Sequence, residues 1–334
     1  MANFLQELRA GLFNAFADDV RVVLLGEDVL DPYGGAFKVT QGLSTQFPER
    51  VIRTPISEAG ITGAAAGMAI RGLRPIVEIM FGDFLTLCTD QIVNHITKFS
   101  TMYPGVHVPL VIRTPMGGGR GYGATHSQSL EKMYLGVPGL TVVAPSLAHN
   151  PGRLIQAAIV DDAPVLFIEN KQLYSQSLCD AADPQLDVRE RAGCGHYPVA
   201  VVQPKGTTVP DVTILSYGGA SRHVLAVMRR LSEEEIVIKA LFPASIKPIP
   251  IDGLLEEINP AGPILIVEEG SSGFNWGSEL AAVIYERLLP VLKAPIKRLA
   301  AQEALIPCAA YLEQKVLVNE EQIESAIMEA LSCQ

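Results

Sequence analysis

Short apolar runs alternate along the chain with longer segments of helical period, the pattern of strands joined by crossover helices in a parallel sheet. In the first half the runs are RVVLLG (21–26), RVIRT (50–54), RPIVEIM (74–80), VPLVIRT (108–114), LTVVAP (140–145) and PVLFIE (164–169). Six such strands predict one large domain over 1–175. Residues 176–208 are polar and irregular apart from one short apolar run, and read as a connector. The alternation resumes with DVTILSYG (211–218), a helix after Ala220, EIVIKALF (235–242) and a helix near 252–259. PILIVEEG (263–270), a helix near 277–289, PIKRLA (295–300) and a last helix near 320–332 complete a second, smaller domain over 209–334. The expected fold class is α/β, with two open, mostly parallel sheets. At the amino end, Leu5, Leu8, Leu12, Phe13 and Phe16 fall on one side of an amphipathic helix that carries acids, unlike a signal or transit peptide.

One stretch breaks the pattern. TPISEAGITGAAAGMAIRG (54–72) places a single carboxylate, Glu58, at the head of a run of small uncharged residues. The run is shorter than the about 20 apolar residues that a membrane span needs. Gly60, Gly63 and Gly67 recur at three- and four-residue spacing, which lays a smooth stripe along one helix face. Each interior glycine costs roughly 1 kcal/mol of helix propensity relative to alanine, so several together predict a close contact that larger side chains would obstruct. Glu58 itself has two readings at this point: a charge that caps the free amides of the helix start, or a working acid.

Composition narrows the choice of partners. The chain has 334 residues, 48% of them hydrophobic, enough for two cores. Its 36 acids against 26 bases give a formal charge of -10, and no basic run suits a phosphate backbone, so nucleic acid is excluded as a partner. The five cysteines, Cys88, Cys179, Cys194, Cys308 and Cys333, are odd in number and form no C-x-x-C pair. That suggests neither a disulfide framework nor a zinc site, and fits a reducing cytoplasm. The six histidines lack metal-ligand spacing.

Ligands of open parallel sheets bind beyond the carboxyl ends of the strands. GED (26–28), TPISE (54–58), FGDF (81–84) and PMGGGRGYGATHSQS (115–129) follow four successive strands, so two acids, an aromatic and a histidine converge there. The glycine loop 117–123 has neither the spacing of a P-loop nor a G-x-G-x-x-G that opens a helix, and reads as a mobile loop over the strand ends. His126 lies at its end, before a helix expected at 127–135, where it could shuttle protons near neutral pH. No G-x-S-x-G elbow occurs, which argues against ordinary hydrolase chemistry.

TPISEAGITGAAAGMAIRGLRPIVEIM, the preceding LLGEDVLDPYGGAFKVTQGL, and GYGATHSQS with PGLTVVAPS resemble the beta subunit of thiamine-diphosphate-dependent 2-oxo acid dehydrogenases, of the pyruvate and acetoin dehydrogenase type. The resemblance runs over about residues 3–332 and is strongest over 20–170. It implies a transketolase-like pyrimidine-binding domain followed by a transketolase-like C-terminal domain. It also implies that the glycine helix packs at a subunit interface and that Glu58 reaches a ring nitrogen of the cofactor's aminopyrimidine. One acid can activate such a cofactor if it is shielded from water, because burial favours the protonated carboxyl and lets it share a proton near neutrality. By the same resemblance Met80 and Phe84 line the pyrimidine pocket, Glu27 is a second acid beside it, and His126 assists proton transfer and reaction with lipoamide. A potassium ion would rest on the carbonyls of Leu110, Ala158, Asp161 and Ala163.

No G-D-G motif, the family's ligand set for the divalent ion of the diphosphate, occurs in this chain. The resemblance therefore implies an alpha subunit that holds the diphosphate and Mg2+ in an α2β2 tetramer, with a small pyruvate-like 2-oxo acid as substrate and a lipoyl-bearing acyltransferase as acyl acceptor. The second domain departs from the family pattern at ALFPASIKPIPID (240–252), and EALIPCAAYLE (303–313) keeps only part of a P-x-P-x-A-x-x-L-E stretch, which bears on docking of the acyltransferase. Two rivals remain at this level: a two-chain transketolase-like or acetoin-cleaving enzyme, and a non-catalytic assembly subunit.

Overall fold

The computed structural model describes residues 3–332; Cys333 lies outside them. Helix α1 (Phe4–Asp18) leads into β1 (Val22–Gly26), α2 (Leu43–Gln46), β2 (Val51–Arg53), α3 (Glu58–Ile70) and β3 (Arg74–Glu78). After α4 (Thr97–Met102) come β4 (Val111–Met116), α5 (Lys132–Leu135), β5 (Thr141–Val143), α6 (Pro151–Val160) and β6 (Val165–Asn170). The second half runs β7 (Leu186–Cys194), β8 (Tyr197–Pro204), β9 (Val212–Ser216), α7 (Ser221–Ser232), β10 (Ile238–Pro243), β11 (Ser245–Lys247) and α8 (Ile251–Leu255). It ends with β12 (Ile264–Ser271), α9 (Trp276–Leu288), β13 (Ile296–Ala301), α10 (Ala310–Val316) and α11 (Glu320–Ser332). Among the described residues no helix is long and apolar enough to cross a membrane.

The strands form two mostly parallel sheets, in the orders β11-β5-β6-β4-β3-β1-β2 and β13-β12-β9-β10-β8-β7. In the first, only β11 runs antiparallel, and it ties the two halves of the chain together by pairing Ser245 with Val143 of β5. In the second, β13, β12, β9 and β10 are parallel, while β8 and β7 are antiparallel additions. The α/β class with two open sheets is therefore the observed one.

The elements follow from local chemistry. Helix α1 starts at a capping box between Asn3 and Gln6 and buries Phe4, Leu8, Leu12 and Phe16 on one face of the first sheet; each such side chain contributes roughly 1.5–3 kcal/mol of burial free energy. It lies so close to α6 that a Cβ on Gly11 would come within 2.4 Å of Gly152 backbone atoms. Along β1, Val22 and Leu24 face α1 while Val23 and Leu25 join the opposite core, with Ile61, Ala65, Ala66 and Ala69 of α3. The glycines of α3 occupy its other face: Gly60, Gly63 and Gly67 are exposed, and no atom of the described residues comes within 4 Å of a Cβ built on Gly67.

Two local expectations are corrected. The stretch 176–208 contains β7 and β8, which pair across the Gly195–His196 turn and extend the second sheet. Strand β7 forms the edge of that sheet, so its charged, solvent-facing sequence carries little apolar periodicity. The helix expected at 127–135 shrinks to Lys132–Leu135. Upstream of it, the Gln128 carbonyl accepts from the Gly117 amide and the Gln128 amide donates to Asp83, so those backbone groups serve neighbouring elements instead of a helix.

Candidate active site

Strands β1, β2, β3, β4 and β6 run in the same direction, so the residues that follow them meet along one edge of the first sheet. Neighbouring strands are only about 4.8 Å apart, which brings residues distant in sequence within contact of one another.

The acids enter from β1 and α3. Glu27 immediately follows β1 and is half-buried; burial first, then the charges of Glu58 and Asp28, raise its pKa above the ordinary carboxylate range. Glu58 opens α3 and is 8% exposed. It enters none of the ion pairs or side-chain hydrogen bonds found among the described residues, so among them it is a buried carboxylate without a partner. Its charge also reaches Cys88, a buried thiol pushed up to about 11 mainly by burial.

An aromatic group stands beside the acids. Met80 and Phe81 follow β3, and Phe84 sits in the 3-10 turn Gly82–Cys88. The His126 ring meets the Phe81 ring edge-on at 4.7 Å between centroids and the Phe84 ring at 5.3 Å. Phe37 and Tyr122 extend the group at 5.5 and 6.0 Å from Phe81. Met80 is half-buried at the same strand end. Thus the structure sets Glu27 beside Glu58, and His126 beside Phe84, on the ends of adjacent strands.

Beneath them lies a buried ionic layer that the sequence reading passed over. Arg113 of β4 donates to both oxygens of Glu169 on β6, at 2.7 and 2.6 Å, and to Glu78 on β3. Tyr174 adds a hydrogen bond of 2.6 Å to Glu169. All four are nearly or fully buried. Burial raises the pKa of Glu78, and the two carboxylates raise that of Arg113 against its own desolvation. The available signal was Glu78 within RPIVEIM, Arg113 within VPLVIRT and Glu169 at the end of PVLFIE, charges carried by three mainly apolar runs.

The glycine loop after β4 is not an open phosphate cradle. Gly119 and Gly121 donate their amides to the Glu313 carboxylate at 2.7 and 3.0 Å, and Gly118 donates to Glu269 at 3.2 Å. Gly119 has a φ of +83°, a conformation that glycine adopts without strain. Two acids from the second domain thus hold this loop, and Glu313, the last residue of EALIPCAAYLE, is one of them.

The carbonyls read as a potassium site lie away from this edge. Leu110 precedes β4, and Ala158, Asp161 and Ala163 lie at the end of α6, toward the amino ends of the strands. The Leu110 carbonyl accepts from the Val165 amide at 2.9 Å. Arg74 donates to the carbonyls of Ile159 and Asp161 at 2.9 and 3.0 Å and pairs with Asp162.

The residues fit the aminopyrimidine half of thiamine diphosphate: a buried, unpartnered carboxylate beside a second acid and an aromatic group with a histidine. Among the described residues, no group of three or more His, Cys, Asp or Glu side chains could hold a metal ion.

Residues 8–176 match the family model of the transketolase pyrimidine-binding domain, and residues 202–323 that of the transketolase C-terminal domain. The chain is 38% identical over 322 residues to the pyruvate dehydrogenase E1 component subunit beta of Porphyra purpurea, covering 96% of this chain and 94% of that protein. It is 34% identical over 330 residues to the acetoin:2,6-dichlorophenolindophenol oxidoreductase subunit beta of Bacillus subtilis (strain 168), covering 95% and 93%. The 2-oxoisovalerate dehydrogenase subunit beta of the same organism is 35% identical over 316 residues, covering 93% of each. Among solved structures, a split-gene transketolase described as an inactive beta4 tetramer superposes with a TM-score of 0.73 at 21% identity, over 99% of this chain and 98% of that one.

Proposed function

This chain belongs to the beta subunits of the thiamine-diphosphate-dependent 2-oxo acid and acetoin dehydrogenase family, and from that premise we propose that it decarboxylates a pyruvate-like 2-oxo acid and passes the acyl group to lipoamide as part of an α2β2 enzyme. The observation that carries the reading is Glu58: a buried carboxylate at the head of α3 with no partner among the described residues, next to Glu27.

When bound, thiamine diphosphate supplies a thiazolium carbon that becomes a nucleophile and an electron sink for decarboxylation. Glu58 would hold the proton at a ring nitrogen of the aminopyrimidine and so favour the tautomer that activates the thiazolium. Glu27, whose pKa is raised by burial and then by the Glu58 charge, would stand as a second acid beside Glu58. Phe84 and Met80 would exclude water from the ring, which would strengthen its hydrogen bond with Glu58. His126, packed edge-on against Phe81 and Phe84, would give or take a proton at the reacting end. The diphosphate and Mg2+ are assigned to the alpha subunit, for which the names of the relatives as beta subunits give support.

A second reading, acetoin cleavage, has one specific support: the relative named as an acetoin oxidoreductase subunit. The four described cysteines are free thiols and fit a reducing compartment such as the cytoplasm.

The test is titration calorimetry of thiamine diphosphate with Mg2+ into this chain alone, then into the chain co-expressed with its genomic neighbour, with Glu58→Gln as control. Tight binding only by the pair, followed by CO2 release from pyruvate, supports the proposal. Binding by the lone chain contradicts the shared site, and acetoin consumption without CO2 release selects the second reading.

A further inference from the structure

The glycines that flank Arg120 and Tyr122 give the loop before His126 little shape of its own, so groups outside it decide where the imidazole stands: Glu269 and Glu313 hold the Gly118, Gly119 and Gly121 amides, and His126 lies beyond them. Gly117, Gly119, Gly121 and Gly123 all have positive φ, and the loop has no helix or strand of its own. Lys171, the first residue after β6, touches it at three places. Its amide donates to the Met116 carbonyl at 3.1 Å, just before the loop. Its carbonyl accepts from Arg120 at 2.7 Å, within the loop. Its ammonium donates to the His126 carbonyl at 2.5 Å, at the loop's end.

Resting on the function proposed above, we infer that Lys171 is a positioning residue, which sets the His126 imidazole over the pyrimidine pocket by holding the His126 backbone carbonyl. The lysine is completely buried. Its Nζ lies 5.2 Å from the centroid of the Phe81 ring and 5.7 Å from that of Tyr122, within the range of cation–π attraction. Phe81 is also the ring against which His126 packs edge-on at 4.7 Å, so ammonium and imidazole are referenced to one side chain. The charged groups that face the ammonium are Asp83, Glu269, Glu313 and Arg120, three acids against one base, and they compensate part of its burial. A methionine would fill much of the same volume and offer no donor, whereas an arginine keeps a charge and several donors.

The experiment compares Lys171→Met, Lys171→Arg and wild type as full-length chains, and again as complexes with the alpha subunit. In the chain alone, His126 is probed by its rate of modification with diethyl pyrocarbonate, mapped by mass spectrometry, and the loop by the rate of tryptic cleavage after Arg120. Lys171→Met is expected to raise both rates about tenfold without raising cleavage elsewhere, and Lys171→Arg to return them most of the way. In the complex, Lys171→Met should lower kcat about tenfold with little change in KM, and should cost nothing further in a His126→Ala background. Unchanged His126 reactivity, or a loss of kcat that adds fully to that of His126→Ala, would overturn the inference. If Lys171→Met does not fold, Lys171→Gln, uncharged and too short to reach the carbonyl, is scored by the same measurements. A complex that consumes no 2-oxo acid would sink the proposed function, while the two rates measured on the chain alone would still decide the role of Lys171.

Discussion

Glu27 and Glu58 lie within electrostatic reach of one another, one at the end of β1 and the other at the start of α3. Burial, and after it the Glu58 charge, raises the pKa of Glu27. Glu58→Gln keeps the shape of the side chain and removes that charge, so the Glu27 pKa should fall; carbon-13 titration of the Glu27 carboxyl reads the change. In the assembled enzyme the same substitution should lower kcat by roughly 10²–10⁴, the range for loss of a positioned acid or base. An active Glu58→Gln enzyme would remove Glu58 from the mechanism.

Arg113 links Glu78 and Glu169 beneath the site, and all three are buried. Arg113→Met should destabilise the chain by about 3–5 kcal/mol, because it leaves two carboxylates without their cation. Urea denaturation of the chain measures this directly. Double replacement of Glu78 and Glu169 by Gln in the Arg113→Met background should recover part of the loss, since the uncompensated charges go with it.

The second sheet contributes a pH dependence. Burial pushes Glu268 of β12 up to about 8 and Glu269 up to about 7. The folded chain therefore keeps protons that the unfolded chain releases near pH 4.5. The stability this gives is complete below that value and is lost as pH rises through 7 and 8, at up to about 1.4 kcal/mol per pH unit for each group. Lys171, pulled down to about 8 by burial, acts in the opposite sense only above that pH. Denaturation curves between pH 5 and 8 should show falling stability for the wild type and a shallower fall for Glu268→Gln, whose amide oxygen can still accept from the Gly277 amide.

If the exposed glycine stripe of α3 is a subunit contact, its substitutions should act differently on folding and on assembly. Gly67→Ala should stabilise the isolated chain by about 1 kcal/mol, because it restores helix propensity and its Cβ meets nothing. Gly67→Leu should leave the isolated chain folded and weaken its association, as read by sedimentation velocity. Assembly of Gly67→Leu at wild-type strength would show that the stripe is not a contact.

Most elements were legible because their periodicity reports burial of their own faces. The strands of both halves fall within a few residues of the apolar runs, and the glycine helix begins at Glu58 as its sequence suggests. Strand β7 was not legible, since an edge strand in water has little apolar pattern to show. The short helix after the glycine loop was overestimated, because Gln128 gives its backbone bonds to Gly117 and Asp83.

The amino-acid sequence by itself determined the α/β class, the apolar runs that became strands, and the acids, aromatics and histidine that follow them. The tertiary structure alone decided their partners. Arg113 meets Glu169 across 56 residues of sequence, Lys171 meets His126 across 45, and Gly119 meets Glu313 across 194. Local pattern records whether a side chain turns inward. What it finds there depends on which strands become neighbours, and the order β6-β4-β3-β1 is a property of the closed sheet and of no single segment of the chain.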